Sequence, residues 1–344
     1  MKYIKRFDTL EEQTAYLAEA DIDTYVGYVD ENDTVYYDDA IPERYDNKYL
    51  TIETLTAGNL SITVAGSNVF QYSLDDGSTW NNLAFGQTVA IEANKKVLFK
   101  AEGLEIIGGN SGIGTINYSG DFNVYGNVMS LVYGDNFVGQ EAMSNFQFRL
   151  LFTNNVALLS AENLILPATT LTDYCYSNMF EGCTNLTTAP QLPATTLANN
   201  CYDSMFWNCS NLTTAPELPA TTLAQSCYAN MFGGCTSLTE APVLPATTLA
   251  DNCYNSMFYN CTSLTTAPVL PATTLTQDCY NTMFYNCTRL NSITCLATNI
   301  SASGCTNWWV LGVASSGTFV KNAAMNDWTT GANGIPSGWT VVDA

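Results

Sequence analysis

Histidine is absent from the 344-residue chain, and with it goes the imidazole that serves as general base, as metal ligand and as partner of a serine or cysteine nucleophile. Basic side chains are scarce as well. Eleven Lys and Arg stand against 32 Asp and Glu, a formal charge of −21, so the phosphate backbone is repelled and nucleic acid is not an expected partner. No run of 18 apolar residues occurs, which excludes a membrane-spanning helix and with it membrane insertion. The opening MKYIKRFDTLEEQTAYLAEA lacks the apolar stretch of a secretory signal, and the chain is read as complete from Met1, with neither export signal nor lipid anchor. Disorder is excluded too, because 47% hydrophobic and 12% aromatic residues suffice to build a core over two or three domains.

Cysteine, by contrast, is plentiful, and its positions are periodic. Cys175, Cys201, Cys227, Cys253, Cys279 and Cys305 are 26 apart, as are Cys183, Cys209, Cys235, Cys261 and Cys287, with Cys295 alone outside both series. Pro167, Pro193, Pro219, Pro245 and Pro271 keep the same step, and so do Phe180, Phe206, Phe232, Phe258 and Phe284. A fixed period of this length marks a stacked array, in which each unit buries its apolar face only against its neighbours. Within a repeat, Cys253, Met257 and Cys261 fall at i, i+4 and i+8, which predicts that CYNSMFYNC is a short helix with one buried face. The remainder, LTTAPVLPATTL, carries prolines and threonines suited to short extended pieces. On a helix Cys253 and Cys261 stand too far apart for a disulfide. Ladders of buried thiols are therefore expected, ahead of disulfides or zinc.

The segment FxxCxxLTxAP followed by LP, over about residues 166–294, resembles the BspA-like branch of leucine-rich repeat proteins, although its repeat is longer and Met-Phe stands where Ala-Phe is common. The resemblance implies a solenoid. Taken together the fold class is mixed β/α, an N-terminal β-rich part followed by a leucine-rich-repeat solenoid of 26-residue repeats with end caps.

Residues 1–48 hold 13 acidic and five basic side chains. Asp8 with Glu11 reads as a helix cap, TYVGYV and TVYYDD as a hairpin around DEND, and the cluster Asp30, Glu31, Asp33, Asp38 and Asp39 as a solvated acidic face rather than a metal site. Residues 49–137 alternate apolar and polar residues between turn signals, which predicts a β-sandwich with a primed hairpin turn at Asp76-Gly77. The glycine-rich IIGGNSGIGTINYSG lacks the Lys-Ser or Lys-Thr of a phosphate loop and reads as β-turns. Residues 138–166 look like a degraded first repeat capping one end. Residues 295–344 cap the other, with Trp309, Val310 and Val313 in place of the repeat's Met, Phe and Cys, and the tail as a last strand.

Carboxylates are scattered singly through the repeats (Asp173, Glu181, Asp203, Glu217, Glu240, Asp251, Asp278), so no catalytic residues, cofactor or metal are expected. Binding is the expected work. The slot after Met-Phe holds Glu181, Trp207, Gly233, Tyr259 and Tyr285, and Trp207, Tyr259 and Tyr285, flanked by Asn208, Asn260 and Asn286, can stack on sugars while the amides bond hydroxyls. The alternative is that these rings only cover the next rung. MKYIKRF, YSLDDGSTW and NGIPSGWTV resemble parts of virion-associated proteins of gut Bacteroides phages, which implies a tail or head fibre. In that reading residues 1–48 dock to a virion protein, the chain is a homotrimer in the phage particle, and the repeats meet a cell-surface glycan or protein. The alternative is a bacterial surface adhesin binding host or neighbour-cell proteins.

Overall fold

A computed structural model describes residues 45–63, 68–101, 103–104 and 112–344 in full, with the backbone of two further strands. Those strands, β1 (Gly27–Val29) and β2 (Val35–Tyr37), pair antiparallel as the expected hairpin. The Asp8–Glu11 cap, the acidic cluster and the rest of the docking segment through residue 44 lie outside the described residues. Residues 1–44 and 45–344 are separate compact units.

In the second unit, eight strands build two facing sheets: β3 (Leu50–Thr54), β4 (Gly58–Thr63), β5 (Val69–Ser73), β6 (Asn81–Ala84), β7 (Thr88–Ile91), β8 (Lys96–Lys100), β9 (Thr115–Tyr118) and β10 (Phe122–Asn127). One sheet runs β6-β5-β8-β3-β10 and the other β7-β4-β9. Period-2 alternation sends Ile52, Phe70, Phe99 and Val124 inward from the first and Leu60, Ile62, Ile116 and Tyr118 from the second, all buried. Between β5 and β6, Asp76 and Gly77 both have positive φ (54° and 86°). The Ser78 N–H donates to Asp75 O at 3.1 Å. This is the primed turn that matches strand twist.

Strand β10 also pairs in parallel with β11 (Leu158–Ser160) and β12 (Leu164–Ile165) of the first rung of the array. Strand β9 meets the same rung, its Ile116 N–H donating to Leu151 O at 2.9 Å. One hydrophobic cluster therefore runs from Leu50 to Trp339 without a break. Beyond β12 a short helical turn has no place. The only α-helical segment among the described residues is α1 (Ser130–Tyr133), ahead of the array.

The expected mixed β/α class, with its helix CYNSMFYNC, gives way to an array built of strands and turns, and the equivalents of that segment show what replaces the helix. From Asn200 to Cys209 every odd-numbered N–H closes a turn onto the carbonyl three residues back (Asp203 to Asn200, Met205 to Tyr202, Trp207 to Ser204). Every even-numbered N–H donates instead to the next rung (Tyr202 to Cys227, Ser204 to Ala229, Phe206 to Met231). Odd carbonyls accept from the rung before, as Cys201 does from Tyr176 at 3.0 Å. No backbone group of this ribbon is left over, which is the condition for burying it. Its geometry needs a left-handed residue at every fourth position, and these are Asn200, Ser204 and Asn208, with φ of 54°, 56° and 59°. Polar, short side chains tolerate that region best after glycine. The true period is four rather than 3.6, and over nine residues the two place Cys, Met and Cys on one face alike.

Inside the stack the side chains form columns. Tyr176, Tyr202, Tyr228 and Tyr254 lie ring over ring at 5.8, 5.9 and 5.9 Å. Phe180, Phe206 and Phe232 follow at 5.5 and 5.8 Å. Cys183, Cys209, Cys235, Cys261 and Cys287 each donate Sγ–H to the Phe carbonyl of a preceding rung (3.0–3.2 Å). All twelve cysteines are buried and free. At the far end, β13 (Ser292–Cys295), β14 (Thr318–Lys321) and β15 (Thr340–Asp343) form a parallel sheet. There Trp309, fully buried, covers both Tyr280 (6.2 Å) and Phe284 (6.3 Å), whose own successors Thr306 and Val310 are smaller. Its Nε1–H is satisfied by Gly334 O at 2.8 Å.

Burial pushes the thiols of Cys175, Cys183, Cys287 and Cys295 from 9.0 up to about 12. Below pH 9 they are protonated whether the chain is folded or not. Above it the unfolded chain ionises while the folded one does not, so their contribution to stability is lost as pH rises from 9 to 12. Native protein at pH 8 should take up no iodoacetamide by mass spectrometry and all twelve equivalents in denaturant, and its melting temperature should fall steeply above pH 9.

Candidate functional site

The ribbon's inward positions are committed to Cys, Tyr, Met and Phe, and its outward pairs (203 and 204, 207 and 208, and their equivalents) are left for the surface. All six residues singled out from the sequence lie on one corner of the stack, where each ribbon ends. Trp207, Tyr259 and Tyr285 are half-buried there, Asn208 and Asn286 exposed, and Asn260 half-buried.

The rings are not spaced one per rung along a helical edge. Gly233 fills the aromatic slot between Trp207 and Tyr259, and Trp207 leans across it so closely that an added Cβ would meet the indole. Trp207 thereby stacks on Tyr259 from two rungs away, at 5.9 Å and 22°, and Tyr259 on Tyr285 at 5.0 Å and 10°. Ring faces are spent on one another, and a ligand beside the ladder meets ring edges.

The asparagine column beside it alternates with glycine as far as Asn260. Asn154, Gly182, Asn208, Gly234, Asn260 and Asn286 follow one another on successive rungs, all left-handed (φ 58–76°). Each of Asn154 and Asn208 lays its Oδ1 over the next glycine, whereas Asn286 Nδ2 donates to Asn260 Oδ1 at 2.7 Å. Immediately after this column the chain makes a tight three-residue bend, Ser210 N–H to Asn208 O and Thr236 N–H to Gly234 O, both 2.9 Å. The bend leaves an open groove of about 700 Å³, walled on its other side by Thr184, Ser210, Thr236 and Thr262. None of its lining residues is charged.

Sequence reasoning missed the groove, although its signal was present: the same slot that gives Asn208 and Asn260 gives Gly182 and Gly234. It also missed a second aromatic group on this face, Phe146 stacked on Tyr174 at 4.8 Å with the Arg149 guanidinium 6.0 and 5.8 Å from the two rings. Among the scattered carboxylates Asp203 has its pKa raised by burial, against hydrogen bonds from Asn230 Nδ2 (3.2 Å) and Ser204 Oγ (3.0 Å). Among the described residues no group of three or more Cys, His, Asp or Glu is placed to hold a metal ion.

Residues 217–306, about a quarter of the chain, match in six copies the family model described as a BspA type leucine rich repeat region. The repeats are therefore similar to that family, as their cysteine, leucine and proline spacing implied. No curated protein and no solved structure matches the chain. The likeness of the flanking segments to virion proteins finds no support in these comparisons.

Packing of Trp207 over Gly233 yields a direct test. Gly233→Ala should cost about 1 kcal/mol by displacing the indole from Tyr259, and in a Trp207→Ala background it should cost nothing, a coupling read by chemical denaturation of the four proteins.

Proposed function

We propose that the chain is a non-enzymatic adhesion protein whose leucine-rich-repeat solenoid holds a surface ligand against the outward face of its turn ribbons. The observation that carries this reading is the corner just described. Three aromatic and three asparagine side chains recur at slots that core packing leaves free, along a groove that crosses six rungs. A repeat array can vary such slots without disturbing its interior columns, which is how repeat proteins generate extended binding surfaces. Similarity of the repeats to the BspA type supports an adhesive role.

Catalysis has no comparable support, since among the repeats' carboxylates only Asp173 and Asp251 share a register, three rungs apart, and histidine is absent. The ligand is a cell-surface molecule, glycan or protein. The setting follows from the resemblance of the opening and closing segments and is a phage virion, with residues 1–48 docking the chain as a homotrimer. A bacterial surface adhesin is the alternative, which the repeat similarity favours.

The double variant Trp207→Ala with Tyr259→Ala should weaken binding to the target surface by about tenfold or more, as loss of clustered aromatic contacts does, while the folded stack persists by circular dichroism; unchanged binding removes this corner from the site. Setting is decided by mass spectrometry of gradient-purified phage particles beside the outer-membrane fraction. Peptides of the chain at fixed copy number in particles are expected, and their confinement to the membrane fraction would establish the adhesin alternative.

A further inference from the structure

We infer that the ligand of this corner is an unbranched, neutral, β-1,4-linked polysaccharide that lies along the stack with one sugar ring per rung. The inference rests on the adhesive reading above and adds the chemical class of the ligand. Length is the first argument. The groove runs from Asn154 to Asn286, five inter-rung steps of about 4.8 Å, or about 24 Å, and is an open surface groove rather than an enclosed cavity. It accepts a chain, and a single small molecule would fill only part of it.

Register is the second argument. From Asn154 to Asn260 amides stand on alternate rungs, at Asn154, Asn208 and Asn260, with Gly182 and Gly234 between them, before Asn286 follows on the next rung. Over that stretch equivalent donors and acceptors repeat every two rungs, about 9.6 Å. An extended β-1,4-linked chain with a two-fold screw presents the same edge at every second sugar, so its hydroxyl or acetamido groups repeat on a matching period. A coiled α-linked glucan or a branched glycan does not. Across the groove Ser210, Thr236 and Thr262 supply hydroxyls once per rung, and the edges of Trp207, Tyr259 and Tyr285 form an apolar ridge beyond the amides.

Charge is the third. The groove is lined by amide, hydroxyl, glycine and valine groups only, in a chain of net charge −21. Sulfated, sialylated or uronic-acid polymers would lose hydration and meet repulsion without a compensating cation. Neutral sugars lose nothing of the kind, and amide-to-hydroxyl bonds replace their water contacts.

The test uses the full chain in pull-down assays with chitin, cellulose and xylan, against dextran as an α-linked glucan, heparin as a polyanion, and the target cells of the adhesion assay. Gly234→Asn is the informative variant. Asparagine already occupies this slot at φ near 60° in Asn208, Asn260 and Asn286; the new Cβ displaces the Asn208 amide that lies over Gly234, and the Asn260–Asn286 pair shows how successive asparagines then bond to each other, so the fold should persist with only a small change in melting temperature. The two-rung alternation is lost, and binding to the β-1,4-linked polymer should fall about tenfold, equivalent to about 1.4 kcal/mol. Thr236→Tyr, which fills the groove from the other wall, should do the same. Binding to at least one of the neutral β-1,4-linked polymers, with little to dextran or heparin and a loss in both variants, sustains the inference. Binding to target cells with none to these polymers, or polymer binding indifferent to both variants, overturns it and leaves the adhesive reading standing. Absence of binding to every surface overturns both.

Discussion

The structure depends on how the turn ribbon disposes of its backbone hydrogen bonds. Alternate N–H groups close turns within the rung and the others reach the next rung, so each repeat is complete only when a neighbour is present on both sides. This is why the array stands on a sandwich at one end and under Trp309, Trp328 and Trp339 at the other. At the first end β10 offers a strand edge already in register with β11 and β12. At the other, a single tryptophan at the methionine position roofs two aromatic columns at once. An uncapped rung would expose a full row of donors and acceptors with an apolar face behind it.

The same bookkeeping dictates which residues can vary. Left-handed geometry at every fourth position is filled by Asn, Ser, Gly, and occasionally Asp or Thr from Asn178 to Gly304, whereas the end rungs also place Phe146, Leu150, Tyr174 and Trp308 there. The buried thiols are equally constrained: the second cysteine of each repeat donates to a phenylalanine carbonyl that already accepts a turn hydrogen bond, and nothing larger fits in a column with neighbours above and below. Variation is driven outward, to the aromatic slot and the corner groove. The surface proposed to carry binding is thus a consequence of what the interior forbids.

Much of this was legible in the residues. The period, the columns of Cys, Phe and Pro, the hairpin turn at Asp76-Gly77 and the corner holding Trp207, Tyr259, Tyr285 and their asparagines all follow from positions that recur. The helix was misread because Cys201, Met205 and Cys209 satisfy periods of 3.6 and 4 equally over so short a run. The discriminating signal lay in the residues between them: Asn200, Ser204 and Asn208 are poor choices for a helix interior and good ones for a left-handed turn. The lean of Trp207 over Gly233 was not legible, since Trp207 and Tyr259 are 52 positions apart in the chain and meet only because the intervening rung lacks a side chain.

That gap also decides what the aromatic ladder can do. Three rings at outward slots suggest platforms on which sugars stack, but platforms need free faces, and here the faces meet at 5.9 and 5.0 Å. What remains is a continuous apolar ridge beside a row of amides. A ridge and a row of amides suit a partner that is long and periodic better than one that is compact, because each rung contributes little alone and the contributions add only along the stack axis. Affinity of this kind grows with the number of rungs engaged, which gives a repeat array a reason to be as long as its ligand.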